Sequence, residues 1–506
     1  MYFIPIVGNL QSLQNTDSIN YLGFDVALIN TLLGSLFITL IVVGLSFQLA
    51  KILHKSKTLY IKTKTHLLVI PFFIGSIATA YLFKIFLTDL GVIDLVIEQG
   101  VIIQIILFAL LKFWQYGLAF VFIFYISFEN CKRNKVSYVD FLNITTVRET
   151  KDLYNAPSIN LIIILSILTF VFSFYDHITA HTLLKVSEGS GNEYIGNWLS
   201  RNYNSFLISS PNTATIKIVQ ISIFVFGVLT ALLFVLSALQ NKLLKLKAKQ
   251  GFGFALKVSS KIALTIFVLL ATIIVAPIFY VLFKNGLEIK VEMINLTKSF
   301  LYSFLASVVI CFLSFVYASF IRVKFKKQLQ SLNFSSLVII IITLGMIFIP
   351  PILLTAIGYK WIAVTGIASA LTMTIQWFIG HLIITFPLIS SFLIFNNFQL
   401  DNNRIDYIEF VKPKKMKKYI DMFVKPFKIE LLLALVISIS VIWNESYLNR
   451  VYSDFVPSFS SHIGKYIEGR SYNYSVSNSY LLISLILSIL GITLVGIGQK
   501  RWKRDE

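Results

Sequence analysis

Apolar residues run in blocks of about twenty along nearly the whole chain, and polar residues collect in the gaps between them. A transmembrane α-helix needs roughly 20 consecutive apolar residues to cross the hydrocarbon layer, so each block is a candidate span. Eleven blocks occur, at about 26–50, 67–86, 101–126, 159–175, 215–238, 262–283, 299–321, 335–356, 365–395, 429–445 and 479–498. The gaps alternate in charge. Lys51, Lys55, Lys57, Lys62 and Lys64 follow the first block, whereas Asp89, Asp94 and Glu98, with no basic residue among them, follow the second. Under the positive-inside rule this alternation puts the N-terminus outside and the C-terminus, with Lys500, Arg501, Lys503 and Arg504, in the cytoplasm.

The gap after the third block has a counterpart after the ninth. Val136-Ser-Tyr-Val-Asp-Phe-Leu142 recurs as Ile405-Asp-Tyr-Ile-Glu-Phe-Val411, and each copy is followed by a proline that opens the next block. Tyr138, Asp140, Phe141 and Pro157 therefore match Tyr407, Glu409, Phe410 and Pro426, all at an offset of 269. Further matches fall on the same diagonal: Ser46 with Ser314, Ala50 with Ala318, Gly196 with Gly464, and Arg201 with Arg470, at 268 or 269. Several matches along one diagonal mark an internal repeat.

A five-span unit reverses the chain's direction, so one extra span must precede a second copy of the same orientation. The block at 262–283 supplies it, which makes the halves parallel and related by an axis along the membrane normal. The expected fold is an all-α polytopic membrane protein of about eleven helices. A first repeat covers 1–240 with a cytoplasmic loop at about 127–158. A linker and the extra span cover 241–298, and a second repeat covers 299–506 with a loop at about 396–428.

Composition agrees with this class and narrows the function. With 56% hydrophobic and 13% charged residues and a mean hydropathy of +0.78, the chain is not a soluble domain. The net charge of +20 comes from Lys and Arg in the loops between spans. It is accounted for by topology and contact with anionic lipid rather than by nucleic acid. Residues 1–25 hold Asp17 and Asp25 but no Lys or Arg, so they lack the basic start of a cleavable signal. Cys131 and Cys311 are too few for a disulfide framework or a cysteine metal site.

Ionisable groups inside spans are costly and point to function. Lys84 and Lys217 lie near block ends, where a long side chain reaches water. Lys112 is closer to mid-span and is a candidate pathway residue, unless the long span tilts its ammonium to water. His381 is the other pathway candidate, with an interhelical hydrogen bond as its structural alternative. Neither implies a metal site. No block holds a central Asp or Glu, which weighs against proton- or sodium-coupled transport. A G-x-x-x-x-G-K-[ST] phosphate loop is also missing, so ATP hydrolysis by that route would require another chain.

With these features the chain resembles the permeases of type I binding-protein-dependent ABC importers, in the form that fuses both permease halves. Their cytoplasmic signature is Glu-Ala-Ala, three residues, Gly, nine residues, Ile-x-Leu-Pro, whose first residue and proline are spaced as Tyr138 and Pro157 are, and Tyr407 and Pro426. Ile144 and Pro413 stand at its glycine. Phe47-Gln-Leu-Ala50, Pro71, Pro350-Pro351, Gly380-His381 with Phe386-Pro387, and Glu188-Gly-Ser-Gly-Asn192 are also similar to the family pattern.

The resemblance implies a non-enzymatic transport subunit of the bacterial inner membrane, without a cofactor of its own. Tyr138, Asp140, Phe141, Pro157, Tyr407, Glu409, Phe410 and Pro426 would dock two ABC ATPase subunits that bind the ATP. An extracytoplasmic substrate-binding protein would deliver cargo near Trp198 and Tyr466 at the external mouth. The fused arrangement is similar to ferric-iron and thiamine permeases. The alternative is a duplicated secondary transporter or channel not driven by ATP.

Overall fold

Backbone N–H and C=O groups find no partner in hydrocarbon, so an apolar block must satisfy them within itself, as a helix does. The protein is described here by a computed structural model covering residues 24–56, 59–74, 76–93, 101–141, 156–174, 176, 260–286, 293–324, 370–396 and 428–445. Positions 227, 231, 343, 448, 449, 452, 456 and parts of 478–493 are described as well. Among the described residues the regular structure is helical: α1 (Phe24–Lys55), α2 (Leu59–Lys64), a 3₁₀ segment (Thr65–Phe73), α3 (Ser76–Asp89), α4 (Val101–Lys112), a π turn (Phe113–Gly117), α5 (Leu118–Phe141), α6 (Ala156–Phe174), α7 (Ser260–Asn285), α8 (Met293–Lys324), α9 (Ala370–Asn396) and α10 (Lys428–Asn444).

Among the described residues, five stretches are long and apolar enough to cross a membrane: Ala27–Lys55, Ile102–Glu129, Ser260–Lys284, Asn295–Ile321 and Ala370–Ile394. Shorter apolar helices cover Leu161–Phe174 and Ala434–Trp443. They coincide with the first, third, sixth, seventh, ninth, fourth and tenth blocks of the sequence pattern. The fold is thus that of an all-α membrane protein. The fifth and eighth blocks, apart from three isolated positions, lie outside the described residues.

Two helix groups share one packing plan. α1 lies against α4, α5 and α6, while α8 lies against α9 and α10. Aromatic edges fill these seams. Phe47 meets Phe124 at 5.5 Å and Phe128 at 5.8 Å between ring centroids, and Phe300 meets Trp443 at 5.7 Å. Such edge-to-face pairs contribute about 0.5–1.5 kcal/mol beyond their buried area.

The second block departs from a simple span. Pro71 has no N–H to donate, and the backbone around it takes up 3₁₀ geometry between α2 and α3. Irregular backbone at membrane depth is tolerated where protein covers it, and Leu68 and Ile74 are buried. The 3₁₀ segment lies against α5, α7 and α10, and Ser440 Oγ of α10 donates to Phe72 O at 3.5 Å.

α7 ties several elements together at one end. Gly286, at φ +67°, adopts the left-handed conformation that ends a helix at little cost for glycine. Asn478 Nδ2 donates to Val281 O at 3.3 Å and Gly286 O at 2.9 Å. Lys284 Nζ and Tyr280 OH both donate to Asp89 Oδ2 at the end of α3. Phe279 and Phe283, on the same helix, are exposed.

Hydrogen bonds from Lys284 and then Tyr280 hold the Asp89 carboxyl below its ordinary value of 3.8. Such a carboxyl stabilises the folded state fully above about pH 4 and loses that contribution as pH falls through its lower folded value. Asp89→Asn is therefore expected to lower the thermal midpoint near neutral pH and to converge with the parent protein in acid. The pairing is refuted by a midpoint difference that stays constant from pH 7 to pH 2.

Candidate functional site

The central irregularity of the third span is the π turn Phe113–Gly117, which adds one residue to the helical repeat and re-aims the side chains around it. Its residues are pinned on several sides. Trp114 Nε1 donates to Ile273 O of α7 at 3.0 Å, and its ring meets Phe83 edge-on at 5.1 Å. Tyr116 stacks on Phe172 at 5.9 Å. A Cβ on Gly117 would sit 2.5 Å from the Phe113 ring. Glycine also leaves its carbonyl open to Ser46 Oγ of α1, which donates at 2.8 Å.

Lys112 immediately precedes this turn, eleven residues from the start of α4, or roughly 16 Å along the axis. Its Nζ lies 2.6 Å from Asp176 Oδ2, with the side chains only 3% and 10% exposed. Gln115 Oε1 accepts from the same ammonium at 3.4 Å, and the Tyr116 ring centroid is 5.2 Å away. The ammonium therefore meets a protein carboxylate rather than reaching water by tilt of the span. Asp176 falls outside the fourth block of the pattern. It sits two residues past α6 and folds back on a 3.4 Å bond from its N–H to Ser173 O.

A second polar junction joins α9 to the residues after α10. Asn449 Nδ2 donates to Ile442 O at 2.7 Å and to Glu445 O, which turns Oδ1 toward Trp377 Nε1 at 2.8 Å and His381 Nε2 at 3.1 Å. Because that oxygen only accepts, Nε2 of His381 carries the proton. Its Nδ1 is buried with no hydrogen-bond partner among the described residues. Glu445 Oε2 accepts from the N–H of Leu448 at 2.7 Å and of Asn449 at 3.3 Å. Gly380 makes room for this segment, since a Cβ there would lie 3.0 Å from the Leu448 methyls.

Pattern reasoning singles out Lys112 and His381 but misses Asp176, Gln115, Tyr116, Trp377, Glu445 and Asn449. One signal was available for two of them. His381 lies 269 residues after Lys112, and Glu445 lies 269 after Asp176, the offset of the recurring loops.

Of the loop residues, Tyr138, Asp140 and Phe141 occupy the last turn of α5, which runs past the end of its apolar block. Pro157 is in the first turn of α6, where its missing N–H has no partner to lose. Tyr407, Glu409, Phe410, Pro426, Trp198 and Tyr466 lie outside the described residues. Among the described residues no cluster of His, Cys, Asp and Glu is arranged to hold a metal. Compared with known proteins, the chain matches no family model, no curated protein and no solved structure.

Proposed function

We propose that this chain is the permease subunit of an ATP-driven importer of the bacterial inner membrane, built from two parallel five-helix repeats joined by α7. Its N-terminus is outside and its C-terminus in the cytoplasm. The carrying observation is one helix crossing that occurs twice. Ser46 Oγ donates to Gly117 O and Ser314 Oγ to Phe386 O at 3.4 Å, donors and acceptors being 268 and 269 residues apart. Helix bounds support the same offset: α1 and α8 are each 32 residues long and begin 269 apart, as do α4 and α9. Pro387 follows Leu118 at that offset too, so each third-position helix carries an irregularity at one level, a π turn in the first and a proline in the second.

In this reading the two cytoplasmic loops receive two ATPase subunits that bind and hydrolyse ATP, and nucleotide-driven closure rocks the halves between inward- and outward-facing states. A binding protein presents cargo at the external segments containing Trp198 and Tyr466. Phe141→Ala and Phe410→Ala are each expected to weaken ATPase association. Truncating an aromatic anchor at an interface typically costs about 2 kcal/mol, more than tenfold in affinity. Co-purification of the ATPase and ATP-dependent uptake measure the effect, and full retention of both in the two variants would sink the assignment.

A duplicated secondary carrier remains the second reading, favoured specifically by the buried Lys112–Asp176 pair, which brings a carboxylate next to a span. Uptake that ignores ATP depletion but collapses with a protonophore would select it.

A further inference from the structure

Helices kink at prolines, at paired glycine and serine, and at π turns, and in the first helix group four such features meet. Pro71 lies in the 3₁₀ segment and Pro277 within α7. The π turn Phe113–Gly117 is the third. The fourth is in α1, where a Cβ on Gly44 would enter open space and Ser46 Oγ lies 2.5 Å from Val42 O one turn back, a bond that bends helices. Phe72 and Tyr116 join the 3₁₀ segment to the π turn at 6.1 Å between ring centroids, and Ser46 and Trp114 join α1 and α7 to it.

The side-chain bonds at this level suit interrupted helices. Pro277 offers no N–H to the carbonyl four residues back, which is Ile273 O, and that is the oxygen Trp114 Nε1 serves at 3.0 Å. A hydroxyl has one proton, so Ser46 can pass between Gly117 O and Val42 O without losing a bond. The bend can therefore change without stranding a polar group in hydrocarbon.

Contacts away from this level fall on two sides. On the α4 side Lys112 pairs with Asp176, Phe86 meets Tyr280 at 5.4 Å, and Asp89 holds Tyr280 and Lys284. On the α5 side Phe47 meets Phe124 and Phe128, His54 Nε2 lies 3.2 Å from Glu129 Oε2, and Tyr60 meets Phe267 at 6.0 Å. α6 ends two residues past Phe172, whose ring stacks on Tyr116, and so stays on the α5 side. A bend in one helix alone would tear its packing, whereas coincident interruptions let neighbours move together.

We propose that this level is a joint within the first helix group. The segments on the α4 side, including α3 and α7 beyond Pro277, form one rigid body. Those on the α5 side, including α1 beyond Ser46, α2 and α7 before Ile273, form another, and the two tilt about Trp114. The joint goes beyond the rocking of whole halves, because the flexing lies inside one of them, and it holds whether or not ATP drives transport.

The test is spin-label distance measurement by pulsed electron spin resonance on the full chain in nanodiscs, in a Cys131→Ser, Cys311→Ser background. Labels go on exposed positions: Ile102 and Phe283 on the α4 side, Gln48 and Leu264 on the α5 side. A change of about 20° in the bend moves Leu264, about 20 Å from Pro277 along α7, by about 7 Å. The distance from 102 to 264 is therefore expected to spread over about 7 Å more than the same-side distances, 102 to 283 and 48 to 264. Pro277→Ala restores an N–H for Ile273 O, and Gly44→Ala stiffens α1 without a clash. Each is expected to remove part of the extra spread, and the two together most of it. The proposal is overturned if the crossing distance is as narrow as the same-side ones, if the same-side distances are as broad as the crossing one, or if the double variant keeps the full spread.

Discussion

Asp176→Ala is expected to lower the stability of the folded chain by about 3–5 kcal/mol, the cost of leaving one member of a buried ion pair alone. The stranded group would be the Lys112 ammonium, 3% exposed, with only Gln115 Oε1 and the Tyr116 ring left among its described polar and aromatic neighbours. Lys112→Met should cost less, about 3 kcal/mol at the low end of that range, because the Asp176 side chain it leaves behind is the less buried partner, 10% exposed. Combining Lys112→Met with Asp176→Asn should recover most of the loss, since neutral replacements of a buried pair are often tolerated. Thermal unfolding in detergent, in chloride buffer, orders the three. Equal losses from the two single variants, or a double variant worse than either, would show that the pair is not the unit described.

Asn449→Ala is expected to be the most damaging change at the second junction, at about 2–4 kcal/mol. One amide satisfies the indole N–H of Trp377, the imidazole N–H of His381 and the carbonyl of Ile442, and the alanine variant leaves all three buried. Each orphaned group costs about 1–3 kcal/mol in isolation, and the losses do not add fully because neighbours relax. His381→Phe removes one donor and keeps the ring volume, so Asn449 still serves Trp377. Its expected cost is below about 1.5 kcal/mol, in the range of single interhelical hydrogen bonds in membrane proteins. A His381 variant more disruptive than the Asn449 variant would move the hub of the cluster from the amide to the imidazole.

Both junctions were only half legible in the pattern of residues. An ionisable or imidazole side chain inside an apolar block stands out against its neighbours, so Lys112 and His381 can be picked from composition alone. Their partners cannot. Asp176 opens the polar stretch that follows the fourth block, with Lys185, Glu188 and Glu193 further along it, and nothing local says that its carboxylate folds back onto a neighbouring span. Asn449 sits likewise among Asn444, Glu445, Ser446 and Arg450. The amide becomes a hub because α10 ends where it does and Gly380 lets the following segment approach α9.

Local backbone departures divide the same way. Pro71 announces a break in the second block, because a residue without an N–H disturbs any helix that includes it. Nothing comparable marks Phe113-Trp-Gln-Tyr-Gly117. Its extra residue is held by contacts from α1, α7 and α6, through Ser46, Ile273 and Phe172.

The sequence by itself determined that the chain lives in a membrane, that its apolar blocks are helices, and where most of the described ones begin and end. Those outcomes depend on a one-body condition: each block must satisfy its own backbone and shed apolar surface from water, whatever its neighbours are. Only the tertiary structure decided which helix ends meet, that Lys112 is neutralised by Asp176, and that His381 shares an acceptor with Trp377. Those outcomes depend on pairs brought together from 64, 68 and 72 residues apart in the chain, and the strength of such contacts is set by burial and distance that no local run of residues encodes.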